Sequence, residues 1–208
     1  ESGTSIKVDT SFPIDITVSD AIAGLKADYV LKVGKILEYV LTKLGSYTEG
    51  TIGDFSMTLN PTDNLPYFAY TRKVGSESNN NISVAKWTGS AFALVGPTGA
   101  ANASARAASR PQVAFAKDGT LYVKYLGGDV ASRPTVKKLD SDWVLLGSAG
   151  FTAQNVNTSY AFPFYVHPAN GKPSLFWNGN TRNTASYRTM NLSVWDSESW
   201  SSNTISGV

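Results

Sequence analysis

Apolar and polar residues alternate along most of this chain in short bursts of strand length, and the bursts recur. The segment PTDNLPYFAYT from Pro61 matches KDGTLYVKYL from Lys117 and ANGKPSLFWNG from Ala169. Each has a turn carrying Asp or Asn, then a strand rich in aromatics. Downstream of each comes a second pair of runs: ISVAKWTGSAFALVG ending at Gly96, TVKKLDSDWVLLG ending at Gly147, and MNLSVWDSESW ending at Trp200. These read as strand, tight polar turn, strand, with Phe92, Trp143 and Trp200 in the same place after the turn. The repeated aromatic is expected to pack between neighbouring sheets. A further strand precedes each unit, as DFSMTLN from Asp54, PQVAFAK from Pro111 and PFYVHPA from Pro163, and Gly45, Gly96 and Gly147 are spaced 51 residues apart.

Four short strands per unit of about fifty residues is the spacing of propeller blades, in which each sheet covers its neighbour's apolar face. The expected fold is therefore all-β: a β-propeller of about four four-stranded blades in a single unit over 1–208, with blades near 12–46, 52–97, 110–148 and 161–205. The first blade is irregular. Over 19–45, apolar residues from Ile22 to Leu44 also fall at helical spacing, with Ser19 or Asp20 as cap and Gly45 as stop. Interior Gly24 and Gly34, and the likeness of YVLTKLGSY to the blade endings WVLLGSAG and FALVGPTG, favour strands. Closure can come from Ser5–Ser11 pairing near Thr204, or from a second copy or further sequence completing the ring.

The Asx-Gly turn before an aromatic strand, and the strand ending in Leu-Val-Gly or Leu-Leu-Gly, resemble the degenerate blades of secreted bacterial propeller proteins. The resemblance runs over residues 47–208. It implies a scaffold and carries no catalytic residues with it.

Composition narrows the chemistry. Cysteine is absent, which removes disulfides, thiolate metal sites and a cysteine nucleophile. Charged residues are 16% and aromatics 12% of the chain, an exported-protein composition, and a secreted or cell-surface location is expected. A targeting signal would lie upstream of Glu1, and no apolar run is long enough to span a bilayer. The 18 basic and 16 acidic residues are scattered, so nucleic acid is not an expected partner.

The single histidine, His167, supports neither a triad nor a histidine metal site and reads as a half-buried strand residue. Carboxylates for glycoside hydrolysis would come from Asp15, Asp20, Asp54, Asp63, Asp118, Asp140, Asp142, Asp196 and Glu198, most of them in turns. KDGTLY only approximates the Asp box of sialidase-type propellers, and Asp140–Asp142 lacks the remainder of a calcium loop. No catalytic residue, cofactor or metal is expected.

The loops between second and third strands gather on one face of a propeller. Here they are TRKVGSESNNN, LGGDVASRP and NGNTRNTASYR, each with an arginine. Arg72, Arg133 and Arg182 with Trp177, Asn178 and Tyr187 form the candidate ligand site, a mixture suited to stacking and forked hydrogen bonds. The expected function is a non-catalytic module binding glycan or protein. The alternatives are a divergent propeller hydrolase or sialidase-like fragment, and a structural assembly domain of a larger surface protein.

Overall fold

The computed structural model describes residues 51–73, 81–96, 100, 108–127, 130–156, 162–179 and 190–205. The expected blade at 12–46 and the strand-or-helix segment 19–45 lie outside them, as do Arg182 and Tyr187. Among the described residues all regular structure is β, in three four-stranded antiparallel sheets. The first sheet holds β1 (Thr51–Leu59), β2 (Pro66–Lys73), β3 (Asn81–Trp87) and β4 (Phe92–Leu94). The second holds β5 (Ala108–Phe115), β6 (Leu121–Gly127), β7 (Val130–Leu139) and β8 (Trp143–Leu145). The third holds β9 (Phe164–Val166), β10 (Pro173–Asn178), β11 (Met190–Trp195) and β12 (Trp200–Ile205). Strand order in each sheet follows the chain, so each is a simple meander.

The turn between the first two strands is built the same way three times. Asp63, Asp118 and Asn170 each accept, through the side-chain oxygen, the N–H of the residue two places on, at 2.9, 2.9 and 3.0 Å. The residue between, Asn64, Gly119 or Gly171, has positive φ, which Gly and Asn adopt at least cost. The recurring Asp and Asn are therefore turn formers. His167 departs from its expected setting: it lies exposed just beyond β9, and its Nδ1 accepts the Ala169 N–H at 3.2 Å. It caps a turn rather than filling a strand.

Packing between consecutive sheets makes two cores. Tyr67, Ala69, Ile82 and Val84 of the first sheet meet Val113, Leu121, Val123, Tyr125 and Trp143 of the second. Leu126, Val136 and Leu146 of the second meet Phe164, Val166, Leu175 and Trp177 of the third, with Phe162. The middle sheet is buried on both faces, which is why LYVKYLG shows no alternation of apolar and polar residues.

The repeated glycine and aromatic interlock across these cores. A Cβ on Gly96 would stand 2.6 Å from Nε1 of Trp143, and one on Gly147 would stand 3.0 Å from the Trp195 ring and 3.1 Å from that of Trp200. Both glycines have positive φ, +82° and +72°. The aromatic opening the fourth strand of one sheet thus lies on the glycine ending the sheet before it. Trp200 also donates Nε1–H to the Leu146 carbonyl at 2.9 Å and stacks on Phe151 at 4.1 Å.

The first sheet turns Phe55, Met57 and Leu59 outward, at 74%, 66% and 57% exposure. Met57 occupies the place that Val113 and Phe164 hold on β5 and β9, where they are 7% and 8% exposed against the preceding sheet.

Gly96→Ala should cost about 2–4 kcal/mol, adding the left-handed backbone penalty to an overpacked indole contact. Gly89→Ala, at φ +97° with nothing within 4 Å of the new Cβ, should cost about 1–2 kcal/mol. Urea unfolding of the two variants separates these terms, and equal losses would mean that the interlock does not constrain the sheets.

Candidate functional site

The first strands of the first two sheets, β1 and β5, begin at the same end of those sheets as the connections from second to third strands, since Ile52 pairs with Arg72 and Ala108 with Gly127. Both carry a bulge there, between Ile52 and Phe55 on β1 and between Ser109 and Gln112 on β5. A bulge re-aims side chains that a regular ladder would bury or splay. At this end an open cleft of about 510 Å³ is lined by Gly53, Asp54, Phe55, Ser56, Arg110, Pro111, Gln112, Lys124 and Phe162.

As an edge strand, β5 presents backbone N–H groups with no ladder partner. Side chains of β1 take two of them: Asp54 Oδ2 accepts the Arg110 N–H at 3.1 Å, and Ser56 Oγ accepts the Val113 N–H at 3.0 Å. Arg110 holds φ +52°, an uncommon state for a residue with a side chain, and its side chain is exposed at the cleft mouth.

Lys124 is the unusual group. It sits mid-strand on β6, opposite Gln112 on β5, and is 1% exposed. Its Nζ donates to the Arg110 carbonyl at 3.3 Å and lies 3.5 Å from the centroid of the Phe162 ring. Burial, and then the neighbouring Arg110 charge, hold its amine well below the usual lysine range. Beside it, Gln112 Oε1 is buried and accepts no hydrogen bond from the described residues. An ammonium and an amide oxygen so placed offer a donor and an acceptor to whatever enters.

A scan against protein-family models finds no match, and no curated protein matches the sequence. Among solved structures, the crystal structure of a thermostable family-43 glycoside hydrolase is similar over 76% of this chain and 56% of its own, at 14% identity and a TM-score of 0.44. The chain spans a little over half of that enzyme's length. The likeness is one of chain path alone.

Of the residues expected to bind ligand, Arg72 and Arg133 are half-buried at the cleft end of the first and second sheets, outside the lining of the cleft. Arg133 Nε donates to Asn155 Oδ1 at 3.5 Å. Trp177 is 6% exposed in the second core and donates Nε1–H to Ser193 Oγ at 2.9 Å. Its edge borders a separate hollow of about 340 Å³ with Phe151, Gln154, Asn191, Ser202 and Thr204. Asn178 ends β10 with a buried, unpaired Oδ1. These four stand on three sheets, and of the described hollows one is lined by Trp177. Among the weighed carboxylates, Asp63, Asp118 and Asp196 bond turn backbone, and those bonds hold Asp118 and Asp196 below the ordinary carboxylate range. Asp54 alone of that set lines the cleft among the described residues.

Lys124 and Gln112 escaped the sequence reading, yet Lys124 carries a signal. It is the charged residue in the middle of the apolar run LYVKYL, on a strand whose two neighbouring faces both go to core. Because its amine is held low in the fold, the unfolded chain binds more protons between the folded value and the ordinary lysine value, so folding stability rises with pH across that window. Lys124→Met should unfold at a higher temperature than the parent at pH 7. The gap should close as pH nears about 10.4, and melts at a series of pH values test the sign.

Proposed function

We propose that this chain is a glycan-binding module on a propeller scaffold, of which the three described sheets are consecutive blades, and that it binds its ligand in the cleft between β1 and β5. The observation that carries the reading is the orphaned acceptor: Gln112 lines the cleft, and its Oε1 is buried with no donor among the described residues. Leaving such a group unmet costs about 1–3 kcal/mol, and an incoming hydroxyl recovers it.

The rest of the lining suits a sugar. Asp54 and Ser56 are further acceptors. Among the described lining residues Asp54 is the one carboxylate, whereas glycoside hydrolysis takes two flanking the scissile bond. The low charge and wealth of aromatics agree with an exported, glycan-facing protein.

A glycan array followed by calorimetry on the best ligand tests this. Gln112→Leu should weaken binding by about tenfold, the loss of one well-made hydrogen bond, while leaving thermal stability equal or higher because the orphaned oxygen is gone. Absence of any glycan ligand, tight binding that Gln112→Leu leaves unchanged, or release of reducing sugar would each overturn the proposal.

A further inference from the structure

We infer that the ligand of this cleft is an acidic sugar, a uronic-acid residue of a polysaccharide, whose carboxylate lies between Lys124 and Arg110. The inference rests on the glycan reading and adds the charge of the ligand. Two cations share the cleft, and among the described residues no carboxylate stands within salt-bridge distance of either. Lys124 is 1% exposed and lines the cleft with a single hydrogen bond, to the Arg110 carbonyl, out of the three its ammonium can donate. Arg110 adds an exposed guanidinium fork from a backbone held at φ +52°.

Packing alone does not explain this arrangement. At the same register of the third sheet stands Phe176, and of the first sheet Ala69, both apolar; each pairs with an aliphatic residue on the next strand, as Lys124 pairs with Val136. An apolar side chain at Lys124 would therefore satisfy the repeat, and a buried cation without an anion is the costly choice. A bound carboxylate would neutralise the mutual repulsion of Lys124 and Arg110 and accept the spare Nζ–H donors and the guanidinium fork.

The same lining argues against a dianion. Asp54 stands on the opposite wall with one oxygen on the Arg110 N–H, and its charge opposes a phosphate more than a single carboxylate. Its other oxygen and Gln112 Oε1 accept hydroxyl protons, which a phosphate dianion does not donate. A sugar acid supplies one negative charge, several hydroxyl donors and an apolar ring face together.

The test is calorimetric titration of oligomers of galacturonic, glucuronic and mannuronic acid, each beside its carboxyl-reduced counterpart, and of a sulfated neutral glycan. At least one uronic-acid oligomer should bind, with its reduced form weaker by about tenfold or more. Lys124→Met and Arg110→Asn should each cost about tenfold in affinity for the acid. Asn tolerates the left-handed backbone at position 110, and Lys124→Met keeps the buried volume, so both variants should retain the parent fold by circular dichroism. If reduced and acidic oligomers bind equally, the glycan reading stands and the acidic one falls. If the sulfated glycan binds and the uronic acids do not, the carboxylate assignment falls. If no sugar of any charge binds, both readings fall together.

Discussion

The stacking of the sheets depends on an indole lying where a glycine has no side chain. Trp143 covers Gly96 and Trp200 covers Gly147, so the register between consecutive sheets is set by steric exclusion rather than by area alone. Apolar burial is non-directional and would tolerate sliding of one sheet over another. A ring that fits only over a residue without Cβ does not slide. The positive φ of both glycines reinforces the point, because a side chain there would be strained as well as crowded.

That constraint explains how each sheet comes to bury two faces. The glycine at its end receives the next sheet's aromatic, while the aromatic opening its own fourth strand reaches back to the sheet before. The second sheet does both, and its strand β6 is buried almost throughout. The first sheet shows what happens where no described sheet precedes it: Phe55, Met57 and Leu59 hold the places of buried residues and stand exposed. An apolar strip of this kind on an edge strand is a surface that a further layer would cover.

Much of this was legible in the sequence because the repeated elements are local. The Asx turn, the hairpin turn and the aromatic after it span a few residues each, and their side-chain bonds reach two or three positions along the chain. The pairing of Gly96 with Trp143 and of Gly147 with Trp200 was half visible: both partners stood out by recurrence, but their contact joins residues some fifty positions apart. The cleft was harder to read, because its features break the repeat. Arg110 and Lys124 have no counterpart of their kind in the first or third sheet, so a search for recurring residues passes over them. Arg72 and Arg133, expected in loops for their chemistry, stand near the ends of β2 and β7, whereas Arg110 and Lys124, which line the cleft, stand on β5 and β6. His167 misled in the other direction: it reads as a half-buried strand residue, and its ring in fact caps a turn.

The cleft and the seam between sheets are the same place, and this limits what the site can become. Asp54 and Ser56 hold the free N–H groups of β5, so two of the polar groups facing a ligand also stitch the first sheet to the second. Their loss would open an edge as well as weaken a site. Lys124 and Gln112 carry no such duty. One is a buried cation with an aromatic ring for company, the other a buried acceptor with no donor, and both leave the empty fold less stable than apolar residues of similar size would. Groups that hold the seam explain themselves through the fold. The two that oppose it are the groups on which the proposed ligand, an anion bearing hydroxyls, would act.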